Sequence, residues 1–178
     1  MYTNYLLTHQ GNSLQAYENI ENMIRLYQAS PYFTIKEIEY LNDRMPKQEE
    51  VAMYRGYCEC AYTLLWAIGI TKTLYFPSAI CDNGMVVKSI LAYDSTERLI
   101  KHARLRDKSE LLDALDLVQR YAWACQDAGK LGFLMPAGLL YDVVQMRYRT
   151  LNWMVSKQDT NWDDVKPVIK SLRLKGKF

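Results

Sequence analysis

The stretch SELLDALDLVQRYAWACQDAG, residues 109–129, decides the fold, because its apolar side chains recur with the period of an α-helix. At about 100° per residue, nearly every position across half of the helix circumference is apolar. The apolar positions are Leu111, Ala114, Leu115, Leu117, Val118, Tyr121, Ala122, Cys125 and Ala128. So wide an apolar face predicts a largely buried helix over about 109–130, at the centre of the domain.

Five residues of the same stretch, four of them charged, share one narrow stripe of this helix. Within about 80° of one another lie Asp113, Asp116, Arg120, Trp123 and Asp127. Because the rest of the helix is so apolar, we expect the stripe to be at least partly buried. Asp116 and Arg120 also stand four residues apart, in the acid-first order that favours an ion pair.

A second long helix, predicted over about 137–157, carries a charge inside an apolar face. The residues on that face are Leu140, Val144, Arg147, Leu151 and Met154. A buried guanidinium needs a partner, because burying an unpaired charge is costly. We therefore expect Arg147 to be mostly buried and bonded to at least one of Asp113, Asp116 and Asp127.

Together the two helices predict a polar network in the core. Its members are Asp113, Asp116, Arg120, Asp127 and Arg147. Two interpretations stay open: an ion-pair network that sets the register of the helices, or a catalytic or ligand-binding cluster. We assign no catalytic residue and no cofactor, because no strong nucleophile or neutral base accompanies these charges. The two histidines, His9 and His102, lie outside both helices.

The four cysteines, Cys58, Cys60, Cys81 and Cys125, lack the spacing of metal ligands. On a helix, Cys58 and Cys60 point about 200° apart and cannot hold one metal together. We predict buried free thiols and no metal site. Reduced thiols in a sequence that shows no secretion signal indicate a cytoplasmic protein.

Helical periodicity and cap signals continue along the rest of the chain. Asn12 and Ser13 predict a helix start, and Thr34 with Glu37 predicts a capping box. Further helices are expected over about 13–28, 34–42, 47–68, 84–93 and 95–104, with a packed loop over 73–83. The sequence thus predicts an all-α fold, an irregular helical bundle of six to eight helices. We expect a single domain over 11–165, between a frayed N-terminus over 1–10 and a basic tail over 166–178.

The 178 residues carry a net charge of +2 that is unevenly distributed. The tail 166–178 holds five basic residues and no acid, so the rest of the chain is slightly acidic. This distribution is not typical of nucleic-acid-binding proteins. No apolar run is long enough to span a membrane. The tail either stays solvated or contacts an acidic partner.

A second group of basic side chains occupies segment 98–108. These are Arg98, Lys101, Arg104, Arg106 and Lys108, opposed only by Asp107. Their alternation with apolar residues predicts a solvated helix face. If the protein binds a partner, Arg98, Lys101 and Arg104 are the candidate interface residues, because rim charges speed association.

Six runs of sequence resemble a known family. They are LLWAIGI, YFPSAICD, SELLDALDLVQRYAWACQDAG, MPAGL, RYRTLNWMV and NWDDV, in that order between residues 33 and 165. The chain looks like the bacterial domain of unknown function catalogued as number 4272, whose activity is unknown. Ala122 and Tyr148 stand where that family often has histidine, and the run from Tyr54 to Glu59 replaces a Trp-Arg-Tyr-Glu run. Histidine chemistry is therefore not implied for this chain.

Two hypotheses of function follow. The first is a non-enzymatic cytoplasmic module that binds another protein, as the immunity proteins that neutralise toxins do. The alternative is an uncharacterised hydrolase or transferase that uses the Asp/Arg cluster. An open pocket exposing Asp116 and Arg120 would favour the enzyme. A fully paired stripe with a large exposed aromatic or charged patch would favour the protein-binding module.

Overall fold

The computed structural model describes residues 13–43, 45–156 and 160–165. Seven α-helices lie in this part of the chain, which contains no strand, and the predicted all-α bundle is confirmed. The helices are α1 Ser13–Leu26, α2 Ile35–Asn42, α3 Gln48–Ala67, α4 Asn83–Leu91, α5 Thr96–His102, α6 Lys108–Leu131 and α7 Tyr141–Val155. The N-terminus and the basic tail of the sequence prediction lie outside the described residues.

Local signals place several helix ends where the sequence predicts them. The side chain of Thr34 accepts a hydrogen bond from the Glu37 backbone N–H at 3.2 Å, and the Thr34 N–H donates to the Glu37 carboxylate at 2.9 Å. This reciprocal capping box starts α2. Gly132 ends α6 with a φ of 71°, a left-handed conformation that glycine adopts without strain.

The last helix starts later than predicted. Residues Pro136–Gly138 form a short 3-10 turn in which Ala137 and Gly138 have φ values of 52° and 71°. A right-handed helix cannot continue through left-handed residues, so α7 begins at Tyr141 rather than near 137. The helix predicted over 13–28 likewise ends early, at Leu26.

The core is built around α7, which packs against both α3 and α6. One apolar cluster joins these three helices through Trp66, Ala67, Leu111, Val118, Ala122, Cys125, Leu139, Val144 and Leu151. A second cluster joins α3 to α4 through Cys58, Tyr62, Leu65 and Val86. The apolar face predicted for α6 is therefore the face that packs on α7.

Met146 of α7 packs directly on Gly56, a glycine in the middle of α3. A Cβ atom added at Gly56 would lie 2.7 Å from Cε of Met146. Glycine inside a helix costs about 1 kcal/mol relative to alanine. In this protein the glycine lies where α3 contacts α7, and each of these two helices carries a buried charge.

Candidate functional site

A buried ion pair joins α7 to α3. The Arg147 guanidinium donates from Nε to Oε2 of Glu59 at 3.0 Å, and each residue is 2% exposed. The other Glu59 oxygen accepts the backbone N–H of Cys81, and Arg147 also donates to the carbonyl of Tyr75. The guanidinium lies over the ring of Tyr62, 5.6 Å from its centroid. The pair is thus satisfied by hydrogen bonds, which makes its burial tolerable.

The prediction that Arg147 is buried holds, but its predicted partners are wrong. Asp113, Asp116 and Asp127 are exposed, and none of them forms an ion pair with Arg147, whose partner is Glu59. Asp116 pairs with Arg120 at 2.8 Å on that surface, and Asp127 pairs with Lys130 at 3.5 Å. The predicted polar core network therefore does not exist as one cluster.

The physical reason lies in how α6 is oriented. The stripe stands almost opposite the centre of the apolar face, and that face is turned towards α7. Leu117 belongs to the predicted apolar face but is 48% exposed, so the buried part of α6 is narrower than the face that the helical wheel predicts.

Glu59 is the member of the buried ion pair that the sequence analysis does not predict. It is the only charged residue in the run from Gly56 to Ile70, which is otherwise apolar or weakly polar. A lone carboxylate in such a run needs a buried cation as partner. Arg147 is likewise a charge set inside an apolar face, so pairing these two residues, 88 positions apart, is the signal in the sequence that points to this ion pair.

The ion pair fixes the loop over 73–83 against the core. Its contacts to this loop are the bonds to Tyr75 and Cys81. The Tyr62 hydroxyl adds a bond to the Thr73 carbonyl at 2.6 Å, and the N–H of Leu140 donates to the Pro77 carbonyl at 2.9 Å. A loop held by hydrogen bonds at four points has little freedom to move.

This loop forms one wall of a groove of about 410 Å³. We call it the aromatic groove, and its lining includes Trp66, Lys72, Tyr75, Phe76, Pro77, Leu117, Tyr121 and Arg147. Tyr75 is 68% exposed, Phe76 44% and Leu117 48%. The Phe76 ring meets the Tyr121 ring edge-on at 5.4 Å. The groove is therefore an open apolar surface with one exposed cation, Lys72, at its edge.

The cysteines show no feature of a nucleophile. All four are free thiols, and Cys81 is half-buried while the others are buried. Burial raises the pKa of Cys60 to about 11 and also raises the pKa of Cys125. The pKa of Cys81 is raised by its hydrogen bond with Cys58, at 3.0 Å between the sulfur atoms, and by burial. Since the thiolate is the reactive form, a raised pKa disfavours nucleophilic chemistry at Cys60, Cys81 and Cys125 near neutral pH.

The described residues contain no group of three His, Cys, Asp or Glu side chains that could hold a metal ion.

The predicted basic face of segment 98–108 is divided by the structure. Arg98, Lys101 and Arg104 are exposed, and Arg98 pairs with Asp94 at 3.0 Å. Arg106 is not part of a solvated helix face, because α5 ends at His102 and the chain turns back along α3. There the Arg106 guanidinium bonds the Trp66 carbonyl at 2.7 Å and lies 4.7 Å from the Trp66 ring centroid. It satisfies backbone acceptors at the end of α3.

The fold and this site define a class of protein: an all-α domain in which a buried ion pair holds an exposed aromatic loop. The chain belongs to the family described as Domain of unknown function (DUF4272), whose model matches residues 4–165. The resemblance expected from the six sequence runs is thereby confirmed. No curated protein and no solved structure matches the chain. In the part that the structure describes, no helix is both long and apolar enough to cross a bilayer.

Proposed function

We propose that this protein is a non-enzymatic cytoplasmic module that binds another protein through the aromatic groove. One observation carries the proposal: a buried ion pair fixes a loop whose large apolar side chains face solvent. Tyr75 and Phe76 project from that loop beside Leu117. Contiguous exposed apolar surface of this kind is typical of interaction sites.

The energetic cost of the buried ion pair is consistent with a loop that is held rigid for binding. Burying two charges is costly, and the pair does not stabilise a fold better than well-packed apolar residues would. What it does here is hold the loop backbone in one position. A rigid loop loses less conformational entropy when a partner docks, so more of the contact energy appears as affinity. Aromatic side chains presented in this way are frequent hot spots of protein interfaces.

The chemistry of the groove defines the part of the partner that fits it. The walls are apolar, and the charge of Arg147 is neutralised by Glu59. Lys72 is exposed and forms no ion pair with any other described residue. The segment of the partner that fits the aromatic groove therefore carries a large apolar side chain and, close to it, a carboxylate that can pair with Lys72.

Arg98, Lys101 and Arg104 are proposed as a second, peripheral contact. These exposed cations would attract an acidic partner and speed its association, as would Lys72 at the groove. An acidic toxin neutralised by this protein is one partner of that chemistry, by analogy with immunity proteins.

The Asp/Arg cluster of the hydrolase or transferase alternative is not assembled in this structure. Arg147 is buried against Glu59, whereas Asp116 and Arg120 form an exposed pair on the surface of α6. The lining of the aromatic groove includes none of Asp113, Asp116 and Arg120.

The test places a photo-crosslinking phenylalanine analogue at position 76, in cells of the source organism. The matched control places it at position 32, where Tyr32 is exposed away from the groove. A protein crosslinked from position 76 and not from 32 is then purified, and its affinity is measured. Leu117→Ser is expected to weaken binding about tenfold or more, since burying a leucine side chain against the partner contributes about 1.5–3 kcal/mol.

Leu26→Ser serves as the control for that variant, because Leu26 and Leu117 are helical leucines of equal exposure, 48%. It should leave the affinity unchanged. The proposal fails if no protein is crosslinked specifically from position 76. It also fails if Leu117→Ser and Leu26→Ser bind the partner equally well.

A further inference from the structure

A second concave surface lies on the other side of the buried ion pair. This cleft, between the first halves of α3 and α7 and the end of the 73–83 loop, has a volume of about 770 Å³. Its lining residues are Gln48, Val51, Ala52, Arg55, Gly56, Glu59, Ile80, Asn83, Asp142, Val143 and Met146. The volume falls within the range of small-molecule sites. We call this surface the α3–α7 cleft.

The cleft contains one cation and one anion that have no ionic partner among the described residues. Arg55 on α3 and Asp142 on α7 are both exposed, and neither belongs to any of the ion pairs in this part of the chain. They do not pair with each other, so their separation exceeds the 4.0 Å of an ion pair. Two unpaired, opposite charges facing one cleft can bind the two charges of a single ligand.

Asp142 is the acceptor that the cleft presents to a ligand. Oδ1 of Asn83 also has no hydrogen-bond partner among the described residues, but this atom is buried and has no surface that a ligand in the cleft could reach. The exposed Asp142 carboxylate calls for a ligand with N–H donors.

The floor and walls of the cleft define the rest of the ligand. Glu59 at the floor is already neutralised by Arg147 and by the Cys81 N–H, so it adds no free charge. Val51, Val143 and Met146 provide an aliphatic wall. A ligand body without further charges fits that wall, because a charged body would lose its hydration there without compensation.

We propose that the α3–α7 cleft binds a small zwitterion with an aliphatic body, such as an apolar α-amino acid or dipeptide. Its carboxylate bonds the Arg55 guanidinium. Its ammonium group donates to Asp142. Its aliphatic side chains pack on Val143 and Met146. The site is separate from the aromatic groove, and the inference does not rest on the proposed protein-binding function.

The test is isothermal titration calorimetry of the full chain at millimolar ligand concentrations. The ligands are the twenty common amino acids, leucyl-leucine, and two leucine analogues that each lack one charge. Leucinamide lacks the carboxylate, and 4-methylpentanoate lacks the ammonium group. We expect the apolar zwitterions to bind. Each analogue should bind about tenfold more weakly or worse, since a charge-assisted hydrogen bond is worth about 1.5–3 kcal/mol.

Two variants locate the site. Arg55→Gln and Asp142→Asn should each weaken binding of the zwitterion about tenfold, the loss of one charge-assisted bond. Arg120→Gln and Asp116→Asn make the same chemical changes at an exposed pair outside the cleft and should leave affinity unchanged. Circular dichroism and melting temperature verify that all four variants fold.

Three results would overturn the inference. The first is that none of the amino acids or the dipeptide binds. The second is that an analogue with one charge binds as tightly as leucine, which would indicate a site for simple anions or cations. The third is that the cleft variants bind as the control variants do.

Discussion

Replacing Arg147 by methionine tests the buried ion pair between Arg147 and Glu59. Methionine keeps most of the packing of the side-chain stem and removes only the charge and its hydrogen bonds. Glu59 would then be buried with the Cys81 N–H as its one remaining partner, and the Tyr75 carbonyl would lose a donor. Breaking a buried pair in this way costs about 3–5 kcal/mol. For a chain of this size that corresponds to a fall in Tm of about 6–20 °C.

A double-mutant cycle separates the stranded charge from other effects. In Glu59→Gln with Arg147→Met, the glutamine oxygen still accepts the Cys81 N–H and no buried charge remains. The Tyr75 carbonyl stays without its donor, which costs about 1–3 kcal/mol. We therefore expect the double variant to be more stable than either single variant, with a coupling energy of about 2 kcal/mol or more.

The assay is urea unfolding followed by tryptophan fluorescence and circular dichroism, with Arg120→Met as the control for losing a surface arginine. That control should change stability by less than about 0.5 kcal/mol. If Arg147→Met leaves the unfolding midpoint where it is in the wild type, the guanidinium is not a buried charge. If the two single changes simply add in the double variant, Arg147 and Glu59 do not interact.

Two further predictions concern the surface charges and the thiols. Reversing Arg98, Lys101 and Arg104 to glutamate should slow association with the partner and reduce its salt dependence while leaving Tm nearly unchanged, as measured by surface plasmon resonance and calorimetry. Unchanged association kinetics would show that these cations lie outside the interface. In the native protein at pH 8, iodoacetamide should alkylate Cys60 far more slowly than in urea, because burial raises the pKa of this thiol to about 11 and little thiolate is present. Mass spectrometry that finds equal rates of alkylation in both states would contradict the buried position of Cys60.

The sequence by itself determines the interactions between residues that are close together along the chain. The capping box of Thr34 and Glu37 joins residues three apart, so its hydrogen bonds form wherever that segment turns into a helix. The apolar face of α6 through Leu111, Val118 and Cys125 follows from the helical period alone. The order of six short runs was enough to indicate the family.

The tertiary structure decided which charges meet. Arg147 and Glu59 are 88 residues apart, and their contact depends on the rotation and register of α7 against α3. A helical wheel assigns each side chain to a face but does not say which other helix covers that face, and for this reason the aspartates of α6 were wrongly expected to be partners. The same holds for Arg106, whose bonds to the end of α3 form only because the chain folds back after α5. Side-chain direction along one helix is a local property, whereas an ion pair between helices is set by the packing of the whole core.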